Sequence, residues 1–185
     1  MLRKVLVALA VVLVVLIVFV VIVALQPSEF RIARTATISA PAPAVFARVN
    51  DFRNWESWSP WEKLDPAMER TFDGPPAGTG ASYAWNGNED VGEGRTTITE
   101  SRPGELIKMK LEFVRPFAVT NLVEFAFQAA GDRTAVTWSM SGRNSFVCKA
   151  VGLFMNMDTM VGGQFEKGLA QLKEVAEAAP ASPGL

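Results

Sequence analysis

The stretch IKMKLEF, residues 107–113, decides the fold of this chain, because apolar and charged side chains alternate through all of it. Successive side chains of a β-strand point to opposite faces, so this alternation predicts a strand with one buried and one solvent-exposed face. A strand of that kind needs neighbouring strands and a cover for its apolar side. The apolar residues on the predicted inward face are Ile107, Met109, Leu111 and Phe113.

Turn signals recur about every 12 residues around this stretch, which predicts a meander of antiparallel strands. The sequences that supply the turns are GPP at 74–76, NGN at 86–88, RPG at 102–104 and GD at 131–132. Other segments with a strand-like pattern are residues 30–39, 68–73, 81–85, 91–100, 119–128 and 134–141.

Helical patterns occur before and after the strands of the meander. Residues 44–50 predict a short helix, and residues 146–155 follow Asn144, a suitable N-cap. Residues 157–177 carry apolar side chains at helical spacing and predict one long helix. This helix alone can cover the sheet, so we expect an α+β fold in which a curved antiparallel sheet wraps around it. Such an arrangement leaves a gap at one end, which is a ready-made ligand cavity.

The N-terminus contains an apolar run from Val5 to Leu25 without a charged or polar side chain. At about 1.5 Å per residue, a helix over this run spans roughly 30 Å, the thickness of a bilayer's hydrocarbon core. The run is longer than the apolar region of a secretory signal, so we predict a retained membrane span. A cleaved signal and a buried helix are the alternatives. Arg3 and Lys4 favour a cytoplasmic N-terminus, which puts the domain outside the cytoplasm at the cell membrane.

The composition of the remaining 160 residues excludes several functional classes. All 19 acidic residues and 16 of the 18 basic residues lie there, and this balance predicts no nucleic-acid partner. The chain has no histidine and one cysteine, Cys148. Ser-His and Cys-His nucleophiles, an intramolecular disulfide and a cysteine-rich zinc cluster are therefore excluded. We expect no metal and no cofactor, and we assign no catalytic residue.

Short motifs follow one another in a characteristic order: ISAP at 38–41, VF at 45–46, VNDFRNWESWSPW at 49–61, WNGN at 85–88, GEG at 92–94, TAVTWSM at 134–140, and FEKGL at 165–169 with LK at 172–173. In order and spacing they resemble the START-like superfamily, also called SRPBCC, and within it the polyketide cyclase/dehydrase and lipid-transport group. The resemblance implies the helix-grip fold of the birch-pollen allergen, with a cavity for hydrophobic molecules between sheet and long helix. Some members only bind or carry such molecules, and a minority, such as the aromatase/cyclases, catalyse reactions.

The alternation of side chains along each strand, together with residue type, suggests which residues would line such a cavity. Three tryptophans spaced three residues apart, Trp55, Trp58 and Trp61, are candidates for an aromatic rim, with plain packing on the sheet as the alternative. The face on which Arg95 lies is ambiguous, because neighbouring glycines could bulge the strand. Glu93 lies two residues before Arg95, which suggests an ion pair between the two. The candidate ligand-binding residues are Tyr83, Trp85, Arg95, Met109, Leu111, Phe113, Asn121, Phe125, Trp138, Met140 and Phe165.

The leading functional hypothesis is a membrane-anchored module that binds a hydrophobic small molecule or lipid. A polyketide cyclase/dehydrase-like enzyme is the second hypothesis, and an envelope module that binds other proteins is the third. The sequence names no protein partner. The expected organisation is an anchor over residues 1–25, a linker over 26–29, a START-like domain over 30–178 and a disordered tail over 179–185.

Overall fold

The computed structural model describes residues 1–178 and contains a seven-stranded antiparallel sheet in the order β1-β7-β6-β5-β4-β3-β2. Strands β2 to β6 each pair with the next strand along the chain, and β7 also lies beside β1, so the predicted meander is confirmed. Strand ends differ from the predicted ones by up to two residues, within the usual uncertainty of element boundaries. The strands are β1 (Glu29–Ile38), β2 (Glu69–Asp73), β3 (Ser82–Asn86), β4 (Glu93–Arg102), β5 (Leu106–Arg115), β6 (Val119–Ala130) and β7 (Arg133–Arg143).

The helices also follow the predicted order, with a difference at the segment after β7. Its N-cap is Ser145 rather than Asn144, since Ser145 Oγ accepts a hydrogen bond from the backbone N–H of Cys148 at 3.2 Å. That helix ends at Gly152 instead of residue 155, where glycine lowers the helix propensity. The helices are α1 (Leu2–Leu25), α2 (Ala42–Asn50), α3 (Phe146–Gly152) and α4 (Met157–Ala178), with 3-10 helices at Phe52–Ser57 and Pro60–Lys63.

Helix α4 covers the concave face of the sheet, which is the face that carries the inward side chains. Phe165, Leu169 and Leu172 recur at helical spacing and are buried there. Gly168 permits a close approach, because a Cβ at this position would lie 2.7 Å from Cζ3 of Trp138. The long helix is thus the cover that its sequence pattern predicts, and the helix-grip fold is confirmed.

Arg34 ties α4 to the sheet from an inward position on β1. Its Nη2 lies 2.9 Å from Oδ2 of Asp158, and its Nε lies 2.6 Å from Oε1 of Glu166. These hydrogen bonds raise the pKa of Arg34, and the bond to Arg34 lowers the pKa of Asp158. Both carboxylates are exposed, so solvent screens the pairs, and their main effect is to position the helix. In the sequence, this position of Arg34 is indicated by its lying two residues after the inward Ile32, because alternate residues of a strand share a face.

The described chain forms two compact units. One consists of residues 1–30 and 143–157, and within it α3 packs against α1. The other consists of residues 31–142 and 158–178, and it contains α2, most of α4 and most of the sheet. Helix α1 is long and apolar enough to cross a membrane. The tail predicted over residues 179–185 lies outside the described residues.

Candidate functional site

Three rows of side chains cross the concave face from strand to strand. The inner row is buried, whereas Trp85, Phe113 and Val119 of the outer row are half-buried. Burial therefore decreases along the strands, and the concave face opens towards the outer row. The inner row is Ile98, Met109, Val123 and Met140; the middle row is Tyr83, Thr96, Leu111 and Asn121; the outer row is Trp85, Gly94, Phe113 and Val119.

Two polar side chains flank Leu111 in the middle row. Thr96 and Asn121 are its cross-strand partners on β4 and β6, and both are buried. Within residues 1–178, Oδ1 of Asn121 has no hydrogen-bond partner. A buried acceptor without a partner costs about 1–3 kcal/mol, so a donor on a bound molecule would remove that cost. The open end of the concave face thus offers apolar and aromatic surface beside a free amide oxygen, a combination typical of small-molecule sites.

Most of the predicted ligand-binding residues lie in these rows, on the face that alternation assigns to them. Met109 and Met140 are buried in the inner row, while Leu111, Trp85 and Phe113 are half-buried at the open end. Their role in ligand binding stays a prediction. The predicted residues in the rows are Tyr83, Trp85, Met109, Leu111, Phe113, Asn121 and Met140.

The other aromatic candidates form the packed centre of the core. Trp138 is 2% exposed and stacks between Phe125 and Phe165, with ring centroids 4.7 and 4.3 Å away. Trp58 is fully buried against the edge of Trp138, so it belongs to the core rather than to a rim. Trp55 is also buried, and only Trp61 of the predicted rim is half-buried. Trp55 and Trp58 are therefore packed in the core, and a rim role for Trp61 stays a prediction.

Arg95 lies on the opposite, outward face of the sheet. Its neighbours Gly94 and Thr96 are buried, whereas Arg95 is exposed and borders a shallow surface depression of about 260 Å³ with Glu69 and Ala84. The expected ion pair with Glu93 is also replaced, because Glu93 Oε2 accepts a hydrogen bond from Nε of Arg115 at 2.8 Å. Glu93 and Arg95 do share the outward face and line the same depression, but the register shift between β4 and β5 places Arg115 opposite Glu93.

A buried acidic residue that the sequence analysis missed, Glu62, lies on the concave side near Tyr83. Glu62 is 7% exposed; its Oε1 accepts a hydrogen bond from the Tyr83 hydroxyl at 2.6 Å, and its Oε2 accepts one from Arg70 Nε at 2.7 Å. Burial of Tyr83, and then its bond to Glu62, raises the pKa of the phenol. The hydrogen bond to Glu62 likewise raises the pKa of Arg70. In the sequence, the inward position of Arg70 is indicated by its lying two residues before Phe72 on the same strand.

Tyr83 is the only tyrosine in the chain, so its ionisation can be measured directly. In the folded protein we expect tyrosinate absorbance at 295 nm to remain absent well above the ordinary phenol pKa of about 10, and to appear near pH 10 once denaturant unfolds the chain. Because the folded pKa is the higher one, this contribution to stability is complete below pH 10 and is lost as the pH rises further. Tyr83→Phe removes the signal. Titration near pH 10 in the folded state would contradict the buried hydrogen bond.

No cluster of three or more His, Cys, Asp or Glu side chains able to hold a metal occurs in the described residues. What residues 1–178 bring together is an apolar concavity with isolated polar groups. This arrangement suits binding by shape and by one or two hydrogen bonds.

Comparisons with known proteins agree with this architecture. Protein CV1439 from Chromobacterium violaceum has a TM-score of 0.58 at 14% identity, covering 83% of this chain and 100% of that one. The Aha1 dimer from Colwellia psychrerythraea gives 0.58 at 12% identity, over 82% and 99% of the two chains. Ara h 8.0201 gives 0.57 at 11% identity, over 82% and 99%.

At such identities the structural likeness shows the fold alone. No curated protein sequence matches this chain. Residues 29–177, however, match the family described as "Polyketide cyclase / dehydrase and lipid transport", a match that runs from β1 to the last turn of α4. The chain therefore belongs to the polyketide cyclase/dehydrase and lipid transport family of START-like, helix-grip proteins.

Proposed function

We propose that this protein is a membrane-anchored binding module that holds one hydrophobic small molecule or lipid at the open end of the concave face. The proposal rests on the side chains of the middle and outer rows of the concave face. There, half-buried Leu111, Phe113 and Trp85 share the concave face with Asn121, whose buried Oδ1 has no partner in residues 1–178. The ligand that fits is largely apolar and carries a hydroxyl or N–H group that donates to Asn121.

The anchor in this proposal is α1. Its 24 residues rise about 36 Å as a helix, enough to cross the hydrocarbon core of a bilayer. Its large apolar side chains from Val5 to Ile22 are mostly about half exposed, and such a surface is stable in lipid rather than in water. Only residues 26–28 separate α1 from β1, so the binding domain would be held close to the membrane surface.

We expect the full chain, gently purified from its host membrane, to retain one apolar molecule in native mass spectrometry. Leu111→Trp fills the open end and should reduce the bound fraction about tenfold, since an occupied cavity excludes the ligand; the overpacking itself costs about 1–3 kcal/mol. Leu122→Trp is the matched control, because Leu122 is 44% exposed on the outward face of β6 next to Asn121, and it should keep the ligand. A ligand-free wild type, or equal retention by both variants, contradicts the proposal.

The anchor and its orientation can be tested with a reporter joined after Leu185. Alkaline phosphatase is active only outside the cytoplasm, so we expect an active fusion if the domain is extracytoplasmic. We also expect the fusion to resist alkaline carbonate extraction, because α1 would hold it in the membrane. Activity limited to a cytoplasmic reporter would reverse the orientation. A mature N-terminus near Gln26 would show that α1 is a cleaved signal.

A further inference from the structure

We propose that residues 146–157, here named the interfacial segment, lie in the interfacial layer of the bilayer beside the end of α1, giving the protein a second contact with lipid. The inference rests on the proposed anchoring by α1. The interfacial segment comprises α3 and the turn that joins it to α4.

The interfacial segment exposes an unusual amount of apolar surface for a water-soluble loop. Phe154 is 80% exposed, and five further large apolar side chains are between 40% and 55% exposed. From Arg143 to Met157 the sequence contains no acidic residue, and its charges are those of Arg143 and Lys149. An apolar surface with basic residues suits the boundary between acyl chains and anionic headgroups. The exposed apolar residues are Phe146, Val147, Val151, Phe154, Met155 and Met157.

Hydrogen bonds fix the interfacial segment at the C-terminal end of α1. Lys149 Nζ donates to the backbone oxygen of Ala24 at 3.4 Å and to Ser28 Oγ at 2.9 Å. The backbone N–H of Asn144 donates to the backbone oxygen of Ser28 at 2.9 Å. Among the residues of α1, all of which are described, Val23 alone is buried. The α3 helix therefore packs near the C-terminal end of α1, where Phe19 is half-buried and Val23 is buried.

This position determines which partner the apolar surface meets. Val23 and Ala24 lie within about 3 Å of the end of α1 along the helix axis, the depth at which the hydrocarbon core gives way to headgroups. The exposed side chains of the interfacial segment continue the lipid-facing surface of α1 at that depth. Lys149, bonded to Ala24 and Ser28, holds its ammonium group at the polar boundary, as basic side chains at membrane interfaces do. A bilayer is thus the occupant that this continuity selects.

The single cysteine provides a native reporter, since Cys148 lies in α3 and is exposed. We would label Cys148 of the full chain with the environment-sensitive fluorophore NBD and reconstitute it in vesicles of equal parts phosphatidylcholine and phosphatidylglycerol. Lipids with a spin label near the headgroup should quench the fluorescence by about half or more, as expected of a group in the interfacial layer. Cys148→Ser combined with Asp132→Cys moves the label to the exposed β6–β7 turn, where we expect no quenching.

A double variant, Val147→Asp with Phe154→Asp, tests whether the apolar side chains cause the contact. Quenching at Cys148 should fall about threefold, because buried charge is costly in the interface, while the chain still resists carbonate extraction through α1. An unquenched wild-type label in a chain that resists extraction would overturn the interfacial contact and leave the anchor intact. A chain released by carbonate would show that the anchor itself is wrong, and the inference would fall with it. An unquenched label, together with disulfide-linked dimers of the unlabelled chain through Cys148, would identify a second copy as the occupant and also overturn the proposal.

Discussion

Trp138→Ala is expected to lower the free energy of unfolding by about 3–5 kcal/mol, the range for removing a large aromatic side chain from a packed core. Trp138 is 2% exposed and stacks between Phe125 and Phe165, with Trp58 and Trp61 against it edge-on. The cavity left by alanine cannot collapse easily, because strands β6 and β7 and helix α4 hold its walls. Guanidinium denaturation of the full chain in detergent, followed by circular dichroism, measures the change.

Trp138→Phe is the control for the indole N–H. Nε1 of Trp138 is buried and has no hydrogen-bond partner in residues 1–178, so losing the N–H itself should cost nothing. Phenylalanine keeps the stacked ring and should lower stability by only about 1–2 kcal/mol through the smaller volume. If the alanine and phenylalanine variants were equally stable, stacking around Trp138 would not be the main support of this core.

Glu62→Ala is expected to lower the free energy of unfolding by about 2–4 kcal/mol, because it leaves the Arg70 guanidinium and the Tyr83 hydroxyl without their shared acceptor. The value falls below that of a fully buried ion pair because the side chain of Arg70 is 26% exposed and keeps some water. The variant should also bring the Tyr83 titration closer to pH 10, since the carboxylate contributes to the raised pKa of the phenol.

Glu56→Ala provides the comparison, since Glu56 lies in the preceding 3-10 helix and is exposed. Its replacement should change stability by no more than about 0.5 kcal/mol, as for most surface substitutions. Equal effects of the two substitutions would mean that the hydrogen bonds of Glu62 to Arg70 and Tyr83 add nothing to the stability of the fold. An effect confined to Glu62 would show that the irregular tryptophan-rich segment is held to β2 and β3 through this carboxylate.

The sheet and its cover were predictable because their signals are periodic. Alternation at residues 107–113 assigns Met109, Leu111 and Phe113 to one face, and the structure places them there. Helical spacing in α4 likewise assigns Phe165 and Leu172 to the core. A parity rule needs only the chain's local geometry, and it fails where a strand carries an extra residue, as β5 does between Phe113 and Arg115, the partners of Gly94 and Glu93.

The candidate site was only partly predictable. Asn121 and Tyr83 were found because an inward parity brings a polar residue onto an apolar face. Glu62 and Arg70 were missed, since they approach Tyr83 from a 3-10 helix and from an edge strand, and their pairing depends on contacts between segments distant in sequence. Trp58 stayed open between a rim and plain packing, because spacing alone cannot distinguish a lid from a core.

The sequence by itself determined the long apolar N-terminal helix, the antiparallel meander, the long covering helix and the absence of histidine chemistry, because composition and periodicity are properties of the chain alone. The tertiary structure decided which end of the concave face is open, that the buried Oδ1 of Asn121 stays unpaired among the described residues, and where α3 meets the end of α1. These features arise from how far each covering segment reaches across the sheet and from hydrogen bonds between residues far apart in sequence. Neither is encoded in any local pattern.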